Sequence, residues 1–257
     1  MRQEIVIIGL GQLGRVFAGG FLRAGYTVVP VNRGDDMDRI ASRHPEPALV
    51  LVAVAEGDLH GVLAALPPSW KGRAGLLQNE LLPRDWQRHG IGNPTVCVVW
   101  FEKKKGVEAN ALIASPVFGP AAEAVLCGLA AVDLPARPLG SADELLFELV
   151  RKNLFILTTN IAGLKVGGTT GELWANHHDL ALTVANEVLD IQEWLTGRAL
   201  DREKLIAGMA EAIEAKPGHG CTGRSAPIRL ARNLAFADEA GLAVPMLREI
   251  RAASGRR

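Results

Sequence analysis

Through the first hundred residues, short β-branched and aliphatic runs alternate with segments whose apolar positions recur at helical spacing. Ile5-Val6-Ile7-Ile8 leads into a glycine-rich turn, then into the helical pattern Val16 to Ala24, then into Tyr26-Thr27-Val28-Val29-Pro30-Val31. A strand, helix and second strand of this length predict a βαβ unit, with a right-handed crossover and strands buried on both faces. Leu49 to Val54, Gly75 to Gln78 and Val96 to Trp100 are continuous apolar runs, which predicts further strands of one parallel sheet.

The texture changes at Leu134-Pro135-Ala136-Arg137-Pro138-Leu139-Gly140, where two prolines and a glycine interrupt the periodicity and no clear strand follows. A boundary is expected there, giving an α/β domain over residues 1–140 and an all-helical one over 141–257. Ser141-Ala142-Asp143-Glu144 has the S-x-x-E spacing of a capping box and predicts a long helix over 142–164. Further helices are expected over 179–196, 201–215, 227–241 and 245–254. Pro227 suits a first turn, and Gly197, Gly218 and Gly241 mark ends.

Composition narrows the partners. The 257 residues carry 28 basic and 28 acidic side chains and no formal net charge, so no global excess attracts nucleic acid or an anionic membrane. A small molecule is the expected partner. The longest apolar run, Ala48 to Ala55, is far below the roughly 18 residues of a membrane helix, and Ile5 to Leu10 is too short for a secretory h-region. A cytoplasmic protein is expected. Cys97, Cys127 and Cys221 are odd in number and lack C-x-x-C spacing, which argues against a disulfide framework or a zinc site. His177 and His178 are adjacent at a helix start and point to different faces, so no metal site is expected.

The chemistry begins at Gly9-Leu10-Gly11-Gln12-Leu13-Gly14. G-x-G-x-x-G is weak alone, but here it follows a predicted strand and opens a predicted helix. That context places Gly9 at the tight turn, Gly11 where a side chain would block a pyrophosphate, and Gly14 where helix meets sheet. The phosphates would sit on the helix N-terminus, with its free N–H groups and positive dipole end. At the tip of the second strand, NAD binders carry an acidic residue for the ribose 2′-OH. This chain reads Val31-Asn32-Arg33 there: Arg33 can pair with a 2′-phosphate and Asn32 is neutral, which points to NADP(H). Asp35 and Asp36 serve a ribose hydroxyl instead if the loop folds back, and Arg33 is otherwise a solvated loop cation.

With this fingerprint, the Arg after the second strand, the helical second half and the segment Arg151-Lys152-Asn153-Leu154-Phe155-Ile156-Leu157-Thr158-Thr159-Asn160, the chain resembles the ketopantoate reductases. Gly171-Glu172-Leu173 and Gly241-Leu242-Ala243-Val244-Pro245 are further anchors, and Gln78-Asn79 is similar to the family's Gln-Asn-Gly turn at the nicotinamide end of the cofactor. The resemblance implies a Rossmann domain followed by a helical domain of the 6-phosphogluconate dehydrogenase C-terminal type, with the active site in the cleft between them. It implies NADPH-dependent reduction of a 2-oxo acid, in which a helix lysine protonates the developing alkoxide. That lysine falls on Lys152, and Asn79 falls at the cofactor. An ammonium suits the task, since it stabilises an oxyanion and donates a proton; a lysine on a helix surface is otherwise simply solvated. Asn160, eight residues on and rotated by roughly 80°, can border the same cleft or cross-link neighbouring helices.

The chain also departs from the family. Ala55-Glu56 stands where the family carries a lysine, Ile156 where it carries an asparagine four residues after the catalytic lysine, and Glu80 where Gln-Asn is followed by glycine. Glu costs more than Gly to enter positive φ. In place of the family's Ser-rich stretch and acidic partner, the chain has His219-Gly220-Cys221-Thr222-Gly223-Arg224-Ser225. If that loop faces the cleft, Arg224 clamps a substrate carboxylate while Thr222 or Ser225 holds a hydroxyl; otherwise it is a glycine-rich connection between helices. The expected activity is NADPH-dependent reduction of a small 2-oxo acid or related carbonyl other than ketopantoate. A dinucleotide-binding sensor without reductase activity is the alternative class, favoured by Ala55 and Ile156. A β-hydroxyacid or imine reductase on the same plan is a third reading. The helical half, with apolar faces to spare, is compatible with a homodimer.

Overall fold

The computed structural model describes residues 3–103 and 105–254; the outermost ends of the two expected domains, residues 1–2 and 255–257, lie outside them. The chain forms two compact units, one up to Glu148 and one from Leu149 onward, so the division falls inside a helix.

The first unit opens with β1 (Glu4–Ile8), α1 (Gln12–Arg23) and β2 (Thr27–Val31), the βαβ unit that the periodicity predicts. Then come α2 (Met37–Arg43), β3 (Leu49–Val52), a 3-10 turn at Glu56–Asp58, α3 (Leu59–Ala64), α4 (Pro68–Lys71), β4 (Ala74–Leu76) and α5 (Pro83–Gln87). β5 (Thr95–Cys97), β6 (Phe101–Glu102), β7 (Asn110–Ala111), β8 (Ser115–Phe118), α6 (Ala122–Ala130) and β9 (Ala136–Pro138) complete it. The main sheet has the order β2-β1-β3-β4-β5-β8-β9. Its first five strands are parallel, with Ile5 opposite Val28 on one side and Leu49 on the other. β8 then runs antiparallel to β5 and parallel to β9, so the sheet is mixed rather than wholly parallel.

Both faces of β1 and β3 are covered, which explains runs without alternation. Ile5, Ile7, Leu49 and Leu51 pack with Phe17 and Phe21 of α1 and with Val125 and Leu129 of α6. Val6, Val50 and Val52, pointing the other way, are equally buried. Phe17 and Phe21 are fully buried, and each contributes about 1.5–3 kcal/mol of apolar burial.

Four strands after β5 depart from the sequence reading. β9 occupies the Pro-rich segment that reads as an interruption. Pro138 sits there on an edge strand, where its missing N–H costs no ladder bond. Pro116 lies within β8, and its carbonyl still accepts from the Val98 N–H at 2.8 Å.

The helical half follows its predicted periodicity closely: α7 (Ala142–Val166), α8 (Thr170–Asn176), α9 (His178–Thr196), α10 (Arg202–Ala215), α11 (Ala226–Ala240) and α12 (Pro245–Ser254). Gly197 and Gly241 end α9 and α11 at φ 64° and 68°, the left-handed conformation that favours glycine at a helix end. Gly218 ends nothing, because α10 stops earlier and is capped by Lys216. At the start of α7 the Ser141 hydroxyl accepts from the Glu144 N–H at 3.1 Å. The Glu144 carboxylate takes the N–H of Gly140 at 2.9 Å, one residue before the one a reciprocal capping box uses. α8 is absent from the sequence reading, yet Thr169 and Glu172 form a complete capping box at its start. Glu187, nearly buried in α9, accepts from the N–H groups of Met246 and Leu247 and so caps α12 from another helix. No helix is long and apolar enough to cross a membrane among the described residues.

Candidate functional site

In the first unit, the turn between β1 and α1 consists of Gly9, Leu10 and Gly11. Gly9 has φ 93°, and its N–H donates to the Val31 carbonyl at 2.9 Å, tying the turn to the tip of β2. A Cβ on Gly14 would stand 2.1 Å from the Gly9 carbonyl oxygen, closer than any real contact, so helix and turn touch backbone to backbone. A Cβ on Gly11 would meet no protein atom within 4 Å, because Gly11 faces open space. Gly11 is also the N-cap of α1 and supplies no side-chain acceptor, and no acidic residue occupies the first turn. The N–H groups of that turn are therefore available to an anion, with the dipole in its favour.

A cavity of about 730 Å³ opens from this turn, lined by Gly9, Leu10 and Gly11, by Asn32, Arg33 and Asp35 beyond β2, and by Ala55 and Asp58 beyond β3. Its volume suits a cofactor. Arg33 donates to the Asp58 carboxylate at 3.1 Å across its mouth. The loop after β2 does fold back, since the Asn32 N–H donates to Asp35 Oδ2 at 2.7 Å. The cavity thus holds one cation between two carboxylates, a charge pattern that the sequence alone leaves open.

The other expected cofactor residues lie apart from that cavity. Leu13 packs against the core, and Gln12 lines a separate cavity. Asn79 is half-buried in the turn after β4. Glu80 beside it adopts φ 59°, the conformation that a glycine would take more cheaply, at a cost of about 1–2 kcal/mol. Gln78 is structural: its amide donates to the Val52 carbonyl at 2.7 Å, and its oxygen accepts from the Leu77 N–H at 3.1 Å, fastening the ends of β3 and β4 together.

In the second unit, α7 carries Lys152 and Asn160 about 12 Å apart along its axis. Lys152 is half-buried, with Nζ 5.8 Å from the centre of the Phe155 ring. The imidazole of His219 lies against the same ring at 6.2 Å. Asn160 is committed at both ends of its amide. Nδ2 donates to the Cys221 carbonyl at 2.9 Å, and Oδ1 accepts from Arg229 Nη1 at 2.8 Å.

The 219–225 loop is held onto the α7–α8 junction. Thr170 N–H donates to the His219 carbonyl at 2.7 Å, and Cys221 N–H donates to the Gly168 carbonyl at 3.0 Å. Its approach to α7 is close, since a Cβ on Gly163 would lie 2.6 Å from Cys221 Cβ and 2.8 Å from Thr222 Cγ2. Thr222, Arg224 and Ser225 are exposed, and Ser225 forms the N-cap of α11 without a side-chain bond. Cys221 is buried, and burial raises its thiol to about 11, which leaves it a poor nucleophile at neutral pH. Arg229, absent from the sequence reading, is the cation that the fold brings to Asn160. The two are 69 residues apart, and no local pattern signals the contact.

No family model matches the chain, and no curated protein matches it in sequence. Solved structures do match it. A PanE/ApbA family ketopantoate reductase from Ralstonia eutropha JMP134 is 17% identical, with 98% of this chain and 97% of that one covered at a TM-score of 0.67. A dimeric ketopantoate reductase from Staphylococcus aureus is 14% identical, with 98% of each chain covered at 0.69. D-mandelate dehydrogenase with NADH and anilino(oxo)acetate is 14% identical, with 99% and 97% covered at 0.69. The chain has the fold of the ketopantoate reductases over nearly its whole length, an α/β Rossmann half followed by a helical half.

Proposed function

We propose that the protein is a nicotinamide-dinucleotide-dependent reductase of a small 2-oxo acid or related carbonyl compound, with NADP(H) as its cofactor. The observation that carries this reading is the glycine cradle: Gly14 touching the Gly9 backbone, Gly11 open to a cavity of about 730 Å³, and a first helical turn whose N–H groups have no side-chain cap. Those features fit a pyrophosphate on the α1 N-terminus. D-mandelate dehydrogenase, which shares the fold, holds a dinucleotide as NADH. Arg33, at the cavity mouth, is the group that would pair with a 2′-phosphate.

The dinucleotide supplies hydride to the carbonyl carbon when bound. Lys152 would donate its ammonium proton to the carbonyl oxygen, so that the developing alkoxide becomes the hydroxyl of the product. Phe155 beneath Lys152 shields one side of the ammonium. Asn160 positions rather than reacts, because both ends of its amide hold other groups. Thr222, Arg224 and Ser225, exposed on the loop that Asn160 fixes, are the substrate-side donors, with Arg224 for a carboxylate. A homodimer is the assembly in this reading; the Staphylococcus aureus reductase that shares the fold is dimeric.

Ala55 and Ile156, polar in the reductases, support a second reading in which the dinucleotide serves as a sensed ligand without turnover. One experiment separates the two. Purified protein is titrated with NADPH and NADH, then assayed for NADPH oxidation over a panel of 2-oxo acids. Turnover that falls by about 100-fold or more in Lys152→Ala, with cofactor affinity retained, is the expected result. Cofactor binding without turnover on any carbonyl leaves only the sensor, and no binding of either dinucleotide rejects both.

A further inference from the structure

A second cavity, of about 480 Å³, lies in the first unit and shares no lining residue with the dinucleotide pocket. Arg15 and Arg23 of α1 and Lys103 and Lys105 of the β6–β7 connection line it, against Glu108 and Asp133. Four cations against two carboxylates leave a local charge of +2 in a chain whose total is zero.

The arginines are not neutralised. Arg15 Nε donates to the Leu10 carbonyl at 3.0 Å and Arg23 Nη1 to the Ala131 carbonyl at 3.5 Å. Carbonyls accept hydrogen bonds without cancelling charge, and among the described residues neither arginine has a carboxylate partner. Lys103 donates to the carbonyl of Val107. Such a concentration of cations in a concave surface attracts anions.

The spacing selects among them. Arg15 and Arg23 are eight residues apart, about 12 Å along the helix, so the positive charge is spread along it. Gly19 lies between them and leaves the helix face bare, with room for a Cβ that would touch nothing. Val16, Val132 and Leu134 make the floor apolar. Asp133 enters the cavity from a left-handed turn at φ 56°, held by its N–H to the Ala130 carbonyl at 3.1 Å. An apolar floor under two separated cationic ends fits an elongated molecule with an apolar or planar body and two or more phosphates.

We propose that this cavity is a second binding site, for a nucleotide-sized polyphosphorylated compound. It meets the dinucleotide pocket only at the first turn of α1, where Gly11 lines one cavity and Gln12 the other. Occupancy here is thereby positioned to influence the dinucleotide without displacing it.

Inorganic tripolyphosphate and ADP are the probes, titrated calorimetrically into the full chain with and without saturating NADPH. Wild type, Arg23→Gln with Lys105→Gln, Lys105→Gln alone, and Arg33→Gln as the control for the other pocket are compared, with circular dichroism to check folding. The expected result is binding that persists with NADPH present, weakens by about tenfold or more in the double variant and by less in Lys105→Gln, and is unchanged in Arg33→Gln. Binding that NADPH abolishes, or that Arg33→Gln weakens as much as the double variant, places the anion in the dinucleotide pocket and overturns the proposal. So does the absence of binding at about 1 mM probe in low salt, or a tighter grip on a duplex oligonucleotide than on either small probe. Failure of the reductase reading leaves this site untouched, because neither the cavity nor its probes involve Lys152 or a carbonyl substrate.

Discussion

Asp58→Asn should shift coenzyme preference toward NADPH, and the size of the shift follows from the geometry at the pocket mouth. Arg33 Nη2 stands 3.1 Å from Asp58 Oδ2, with the two side chains 91% and 50% exposed. Coulomb attraction at that distance in water is about 1.3 kcal/mol, and exposed pairs deliver about 0–1 after entropy and salt take their share. A 2′-phosphate of about two negative charges that reaches Arg33 must share it with Asp58. With the carboxylate about 5 Å from that phosphate, repulsion adds about 1.7 kcal/mol in water, roughly halved by physiological salt. Removing the charge at 58 therefore favours NADPH by about 1–1.5 kcal/mol, or roughly five- to tenfold in Kd. NADH, which brings no charge to Arg33, should change by less than about twofold. Titration by nicotinamide fluorescence at low and high ionic strength measures both constants. The gain should shrink as salt rises. Equal tightening of both coenzymes, or an NADPH affinity indifferent to the substitution at low salt, refutes the assignment of the 2′-phosphate to Arg33. Charge reversal in Arg33→Glu should do the opposite and weaken NADPH far more than NADH.

Three other outcomes are expected. Glu187→Ala removes the acceptor for two N–H groups at the start of α12 and should destabilise the chain by about 1–3 kcal/mol, read as a fall in denaturant midpoint with an unchanged slope; Glu187→Gln should cost less. An aromatic disulfide reagent at pH 8 should modify Cys127 in the folded protein well before the other two thiols. Cys127 is exposed, whereas burial pushes Cys97 up to about 12 and Cys221 to about 11; labelling of all three at one rate would contradict this. The stacked pair His60 and His89 has both pKa values lowered, first by burial and then by Arg88, with Lys71 adding to the effect on His89 and Asp85 opposing it. Because the unfolded chain binds protons that the folded pair resists, stability should be full above about pH 6.5 and decline as pH falls below it. Thermal midpoints across that range should fall less steeply in His89→Gln, and an unchanged slope would remove the pair from the account.

The βαβ unit and its glycine fingerprint were legible because every relevant contact is local. Gly9 to Gly14 occupy one turn, and their strand and helix carry their own periodicities. Gly197 and Gly241 were legible for the same reason, as each ends a helix by its own backbone conformation. β6 to β9 were not: two to four residues hold no period, and Pro138 reads as a break. α8 could have been found, because Thr169 to Glu172 carries the same S/T-x-x-E spacing as Ser141 to Glu144. The electrostatics of the candidate sites required the fold. Arg33 meets Asp58 across 25 positions and Asn160 meets Arg229 across 69, distances over which no sequence pattern operates. The cations at 15, 23, 103 and 105 vanish into a balanced total until the chain gathers them.

The grip of Asn160 on Cys221 has a consequence for how such a protein can change its specificity. What the amide holds is a main-chain oxygen, which every amino acid possesses. The crosspieces from Thr170 and to Gly168 are likewise main chain to main chain. On its own side the segment is thus moored by main-chain atoms, which substitutions within it other than proline leave in place, while its outward side chains stay free to be rewritten. A new ligand preference can be installed there without rebuilding the dock.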